Sequence, residues 1–91
     1  MPIKVRAQEP LRRLLENQPV VEIDSRTVIE AIDELQRQYP GVRDRVLDDN
    51  GAVRGFVNIY VNDENIRFLQ DAQTPLNDGD ELSIVPSNAG G

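Results

Sequence analysis

The stretch TVIEAIDELQRQYPG, residues 27–41, predicts a long amphipathic helix. Thr27 with Glu30 three residues later matches a capping box, a pattern that closes a helix N-terminus. Pro40 and Gly41 should end the helix, because the residue before a proline avoids helical geometry and glycine permits the turn that follows. The apolar face comprises Val28, Ile32, Leu35 and Tyr39. The opposite face, typical of a solvated surface, carries Glu30, Asp33, Glu34 and Arg37.

The residues before this helix predict two strands that pair as a hairpin. IKVRA, residues 3–7, alternates apolar and charged side chains, and VVEID, residues 20–24, is a short β-branched run. Between them, residues 8–19 contain prolines and have room for a short helical turn. After the helix, VRDRVL (42–47) predicts another helical turn, and DDNGAVRG (48–55) predicts a loop.

The stretch FVNIYVN, residues 56–62, predicts a strand with two different faces. One face is aliphatic and comprises Val57, Ile59 and Val61. The other carries Phe56, Asn58, Tyr60 and Asn62. Burying the Asn58 amide without partners is costly, so the aliphatic face should pack on the core and leave the aromatic residues outside. Two interpretations of Phe56 and Tyr60 stay open: anchors for a partner protein, or ordinary scattered apolar surface.

The last part of the chain predicts two more strands. A turn at NDEN (62–65) leads into IRF (66–68), which we predict to be a short strand. In TPLNDGDELSIVP (74–86) a turn precedes the final strand, which should place Leu82 and Ile84 inside and Ser83 and Val85 outside. The order strand, strand, helix, strand, strand, strand predicts an α+β fold with a mixed sheet packed against one main helix.

Composition excludes many kinds of chemistry. The 91 residues, enough for a single domain, include no Cys, no His and only one Lys, Lys4. Disulfides, thiol nucleophiles and His-based catalysis are therefore excluded. The acidic runs DDNG and NDGDE lack the ligand pattern of a calcium loop, and we interpret them as turns. The sequence accordingly predicts no catalytic residue, no metal site and no bound cofactor.

Charge and hydropathy limit the partners. A net charge of −6, with ten scattered basic residues, argues against nucleic acid. No apolar run is long enough to cross a membrane, and the first residues lack the pattern of a secretory signal. We therefore expect a cytoplasmic protein that has a protein partner.

The chain ends on SNAGG, residues 87–91. A glycyl carboxylate has no Cβ beside the reacting carbon, so a nucleophile can approach with little hindrance. A slim tail of such residues can also enter another protein's active site. Taken by itself, this ending is compatible with a reactive terminus or with a chain end that has no role.

The order of elements, with LSIVPSNAGG leading from the final strand to a diglycine, resembles the β-grasp fold of ubiquitin. The segments FVNIYVNDE and LNDGDE, together with Pro86, Ala89, Gly90 and Gly91, are similar to the sulfur-carrier proteins of the MoaD/ThiS family. This resemblance implies a β-grasp domain over residues 1–86 and a flexible tail over 87–91, with Ala89 and Gly90 leading to the reactive residue.

The resemblance also implies a mechanism and a set of partners. The carboxylate of Gly91 would be adenylated by an E1-like enzyme, and sulfur would then replace AMP to leave a thiocarboxylate. The chain has no phosphate-binding glycine loop, so the activating partner would bind and consume the ATP. The chain would be a carrier and not an enzyme. Phe56, Tyr60 and Val85 would bind partners, provided that the first, last and third strands are neighbours.

The resemblance indicates the protein that receives the sulfur less specifically than it indicates the carrier role. The segment PGVRDRVLDDNGAVRG (40–55) and the block FVNIYVNDENIRF (56–68) look most like carriers that serve a pyridoxal-phosphate cysteine synthase. The alternatives are a carrier for the molybdopterin synthase large subunit, a thiamin sulfur carrier, a ubiquitin-like protein modifier, and a β-grasp module with an inert tail. With Gly91 as the last residue, we expect no protease step before activation.

Overall fold

The computed structural model describes residues 2–86, and within them five strands form a single mixed sheet. The strands are β1 (Ile3–Ala7), β2 (Val21–Ile23), β3 (Val57–Val61), β4 (Glu64–Asn65) and β5 (Glu81–Pro86). The α-helices in this part of the chain are α1 (Val28–Gln38) and α2 (Val42–Val46). Short 3₁₀ helices span Leu11–Leu15, Ile66–Phe68 and Asp71–Gln73. The predicted tail, residues 87–91, lies outside the described residues, so the boundary at residue 86 stays a prediction.

The strand order across the sheet is β2, β1, β5, β3, β4. Strands β1 and β2 pair antiparallel, which confirms the predicted hairpin. Strand β5 runs parallel to β1 and antiparallel to β3. The first, last and third strands are therefore neighbours, as the predicted docking surface requires.

Alternation along the strands separates a core face from an outer face. The residues at the core face of the three central strands are buried and comprise Ile3, Val5, Ala7, Val57, Ile59, Val61, Leu82 and Ile84. They join one hydrophobic cluster with the apolar face of α1, which consists of Val28, Ala31, Ile32 and Leu35. The prediction that the aliphatic face of residues 57–61 packs inside is confirmed, and Tyr39 at the end of α1 packs against the cluster while half-buried.

Helix α1 begins as the sequence predicts, with one difference in its cap. The Thr27 hydroxyl accepts a hydrogen bond from the Glu30 amide at 3.2 Å. The Glu30 carboxylate accepts from the amide of Arg26, one residue earlier than a capping box requires. On the solvated face, a hydrogen bond from Arg37 lowers the pKa of Glu34. Gly41, with a φ of 107°, supplies the left-handed turn that separates α1 from α2.

The predicted strand at IRF is wrong. Residues Ile66–Phe68 form a 3₁₀ helix, and the β4 pairing is confined to Glu64–Asn65. The Asn65 side chain accepts a hydrogen bond from the Arg67 amide at 2.9 Å, which turns the backbone away from the sheet. A strand would place Ile66 and Phe68 on one face, whereas a 3₁₀ helix of three residues per turn separates them. Accordingly Ile66 is buried and Phe68 is 87% exposed.

The acidic runs form turns, as the sequence predicts. The Asp48 carboxylate accepts from the amides of Asn50 and Ala52, which closes the turn at DDNG. The Asp80 carboxylate accepts from the Asn77 amide and from the Asn62 side chain. Among residues 2–86, no group of acidic side chains is placed to hold a metal ion. Nor does any helix in that range combine the length and apolarity needed to span a membrane.

Candidate docking site

The outer face of the sheet brings together two of the predicted partner-binding residues. Tyr60 on β3 pairs with Ser83 on β5, and Asn58 pairs with Val85. Tyr60 and Val85 are therefore diagonal cross-strand neighbours on the face opposite the core, a distance that an aromatic side chain can bridge. Both side chains are half-buried. Val85 lies directly opposite Asn58, which places it between Tyr60 and the start of β3.

Phe56 lies just before this face and not within it. Strand β3 begins at Val57, and Phe56 occupies the preceding turn, where it is 46% exposed. Val57 pairs with Pro86, the last described residue of β5. Phe56 is thus at the end of the sheet where the described part of β5 ends. The strand assignment of Phe56 is wrong by one residue, but its position outside the core is as predicted.

The loop that carries Phe56 is held by an arginine that sequence reasoning did not single out. The Nη2 atom of Arg67 donates to the backbone carbonyl oxygen of Val57 at 3.0 Å, of Arg54 at 3.2 Å and of Gly55 at 3.4 Å. Its Nη1 atom donates to the Asn58 side-chain oxygen at 2.6 Å. No periodicity in the sequence indicates these contacts, because they join residues that are 9 to 13 positions apart, on either side of the turn between β3 and β4.

The edge of the face next to β1 carries arginine side chains. Arg6 pairs with Ser83 in the parallel register and forms an ion pair with Glu81 at 3.1 Å, the two side chains being 51% and 41% exposed. A cavity of about 240 Å³ beside Val85 is lined in part by Arg6 and Arg12. Two arginines therefore lie on this side of the face, and the charge of Arg6 is balanced by Glu81.

A second apolar feature lies outside the predicted surface. Phe68 is 87% exposed and the adjacent Leu69 is 40% exposed, both on the segment that follows β4. The strand predicted at residues 66–68 did not indicate that Phe68 is exposed, because a strand would have placed Phe68 on the same face as buried Ile66. The asparagine at position 65 is the signal that could have revealed the turn.

The predicted tail residues are not part of the surface described above. Ala89, Gly90 and Gly91 lie outside the described residues, and their roles stay predictions. What the structure supplies is the position of the last described strand. Its final residues, Val85 and Pro86, lie beside Asn58 and Val57.

Comparison with known proteins identifies similar chains. The model of the ThiS family matches residues 8–91. The sulfur carrier protein CysO of Mycobacterium tuberculosis is 44% identical over 62 residues, covering 66% of this chain and 67% of that protein. A putative sulfur carrier protein of Archaeoglobus fulgidus is 36% identical over 93 residues, covering both chains fully. The small archaeal modifier protein 3 of Haloferax volcanii is 35% identical over 68 residues, covering 75% and 73%.

Solved structures share the fold along nearly the whole chain. The crystal structure of the Amycolatopsis orientalis BexX/CysO complex contains a chain with a TM-score of 0.89 and 34% identity, covering 98% of this chain and 99% of that one. The solution structure of small archaeal modifier protein 1 from Methanosarcina acetivorans gives a TM-score of 0.84 at 29% identity, covering 99% and 96%. The fold is therefore the β-grasp fold of ubiquitin-like carriers and modifiers.

Proposed function

The chain belongs to the ThiS family, and we propose that it is a sulfur carrier whose working group is the carboxylate of Gly91. The observation that carries this proposal is the family match over residues 8–91, which includes the diglycine. The similarity to proteins named as sulfur carriers supports it. The fold supports it as well, because β5, the last strand before the diglycine in the sequence, carries Val85 on the outer face of the sheet.

The chemistry needs two steps at one carbon. A carboxylate is anionic and has no good leaving group, so it resists nucleophiles. An oxygen of the Gly91 carboxylate attacks the α-phosphorus of ATP, which forms an acyl adenylate and releases pyrophosphate. A sulfide nucleophile then attacks the carbonyl carbon, and AMP leaves with the electron pair of the broken C–O bond. The product is a thiocarboxylate that can transfer its sulfur to an acceptor.

Partner enzymes carry out these steps in the proposal, and this chain is their protein substrate. An E1-like enzyme binds and consumes the ATP. A pyridoxal-phosphate cysteine synthase is the acceptor we favour, which the resemblance to carriers of that pathway and the similarity to CysO proteins support. The molybdopterin synthase large subunit is the alternative acceptor. The cytoplasm, where ATP is available, is the proposed location.

A second candidate function is ubiquitin-like protein modification. The similarity to a small archaeal modifier protein favours it. The activation step would be the same, but the acyl group of Gly91 would pass to a lysine amine of a target and not to sulfur. The two functions therefore differ in the nucleophile that attacks the activated carboxylate.

An intact-mass measurement tests the proposal. The protein is incubated with ATP, the E1-like activating enzyme and sulfide, and its mass is compared with that of the starting protein. We expect a shift equal to the exchange of one oxygen for one sulfur, and no shift without ATP. Adducts on other proteins would support the modifier function instead. An unchanged mass with an activating enzyme that is active on a known carrier would contradict both.

Substitution of Phe56 by glutamate is expected to weaken binding to the activating enzyme about tenfold or more, because a desolvated aromatic anchor is replaced by a charge. Tyr60→Glu should act in the same direction. Dissociation constants are measured by calorimetry, and thermal unfolding should show the domain intact, since Phe56 lies outside the core.

The matched control is Phe68→Glu, which changes an even more exposed phenylalanine away from the outer face. We expect it to leave the affinity unchanged. If Phe68→Glu weakens binding and Phe56→Glu does not, the partner docks on the segment after β4 and the proposed surface is wrong. If Phe56→Glu melts the domain, the assignment of Phe56 to the surface is wrong.

A further inference from the structure

Arg67 binds the segment that carries Phe56 from the neighbouring edge of the sheet. Its guanidinium donates to the carbonyl oxygens of Arg54, Gly55 and Val57 and to the side chain of Asn58. We propose that Arg67 is a positioning residue, which holds residues 54–56 against the start of β3 so that Phe56 is presented to the activating enzyme. This inference rests on the proposed function, because it takes Phe56 to be a docking anchor.

The other hydrogen bonds of this loop are made by Arg54 and Val57, on either side of Gly55 and Phe56, and the Arg54 side chain donates to the Asp44 carbonyl at 2.9 Å. The Val57 amide donates to the Arg54 carbonyl at 3.0 Å, and the Arg54 amide donates to the Val46 carbonyl at 3.0 Å. Gly55 contributes no side chain, and the space where its Cβ would stand is open to 4 Å. Phe56 itself is 46% exposed, so packing covers only part of its side chain. The hydrogen bonds from the Arg67 guanidinium to several backbone carbonyl groups therefore restrain the loop on both sides of Phe56.

Only an arginine can make this set of contacts from residue 67. The guanidinium is planar and presents several donors in a fixed fork, whereas a lysine ammonium is a single point of charge. In this structure one nitrogen donates to the loop carbonyls of Arg54 and Gly55, while the other donates to the Asn58 side chain on β3. The loop and the strand are thereby tied together. Arg67→Lys keeps the positive charge and should lose the hydrogen bonds that connect the loop to the strand.

The contacts of Arg67 are separate from the core. Arg67 is an exposed residue, whereas its neighbour Ile66 belongs to the buried cluster. Losing the guanidinium should therefore loosen the loop without unfolding the domain. This distinction makes the positioning role measurable, because loop order and global stability respond separately.

The first test compares Arg67→Lys with the wild-type chain. We expect the amides of Gly55, Phe56 and Val57 to exchange with deuterium about tenfold faster, since local opening becomes easier. The dissociation constant for the activating enzyme should rise about three- to tenfold, with the melting temperature nearly unchanged. Arg13→Lys, at an arginine that is 80% exposed and paired only with Glu9 in the described structure, should change none of these. Unchanged exchange in Arg67→Lys would overturn the inference.

A double-mutant cycle then tests whether Arg67 acts through Phe56. In a Phe56→Ala background, Arg67→Lys should have no further effect on the dissociation constant. An equal loss in both backgrounds would mean that Arg67 contacts the partner directly, which overturns the positioning role. If Phe56→Ala alone leaves the affinity unchanged, the docking role of Phe56 fails, and the inference fails with it. The intact-mass assay reports separately whether Gly91 carries sulfur.

Adding a side chain to the loop gives an independent check by rescue. Gly55→Ala meets no atom within 4 Å and does not occupy the left-handed region. An alanine restricts the backbone of a flexible loop, so it should restore part of the order that Arg67→Lys removes. The double variant should therefore bind more tightly than Arg67→Lys alone. If Gly55→Ala slows the exchange of residues 54–57 but does not improve binding, loop order does not control docking.

Discussion

Deletion of Gly91 is expected to abolish thiocarboxylate formation. The shortened chain still ends in a glycyl carboxylate, that of Gly90, so the reactive group would be the same. The reaction would be lost because this carboxylate lies too far from the ATP bound by the activating enzyme. One residue of extended chain spans about 3.5 Å. Reacting atoms must approach to about 3–3.5 Å in an aligned geometry, and a misplacement of 1 Å can cost two orders of magnitude in rate. The intact mass after incubation with ATP, activating enzyme and sulfide should therefore not change.

Two controls distinguish a carboxylate that cannot reach the ATP from a chain that no longer binds the activating enzyme. The Gly91 deletion leaves Phe56, Tyr60 and Val85 intact, so its dissociation constant for the activating enzyme should stay within about threefold of wild type. Gly91→Ala keeps the length and adds one methyl group beside the reacting carbon, which should slow the reaction without stopping it. Sulfur incorporation by the deletion variant at the wild-type rate would contradict a mechanism centred on Gly91.

Ile59→Ala is expected to destabilise the domain by about 2–5 kcal/mol, the usual cost of such a truncation in a packed core. Ile59 is 1% exposed and pairs with Ile84 on the central strand β5, so neighbouring groups cannot easily fill the space. A small domain has about 5–10 kcal/mol of stability in total, so much of it would be lost. Urea unfolding followed by circular dichroism measures the change.

The matched control is the next residue along the strand. Tyr60→Ser removes more atoms than Ile59→Ala, but Tyr60 lies on the outer face and is half-buried. We therefore expect a smaller loss of stability and a larger loss of affinity for the activating enzyme. If Tyr60→Ser costs more stability than Ile59→Ala, the assignment of the two faces of β3 is reversed.

Periodic patterns predicted most of the fold. Alternation along residues 57–61 and 82–85 separated core from surface because strand side chains alternate between faces. Helix α1 followed from its apolar spacing and from Thr27 at its cap. The same reasoning failed for residues 66–68, because three residues are too few to distinguish a strand from a 3₁₀ helix. There the local hydrogen bond from the Arg67 amide to Asn65 decided the backbone.

The sequence by itself determined the main helix, the long strands with their inward and outward faces, and the resemblance through Gly90 and Gly91 that identifies the candidate reactive group. These depend on local spacing and on residue type, which a linear chain displays directly. The tertiary structure alone decided which residues meet. It placed Val85 opposite Asn58, put Phe56 in the turn before β3, and brought Arg67 to the carbonyl groups of that turn. Such contacts arise when separate segments fold together, and no pattern within either segment encodes them.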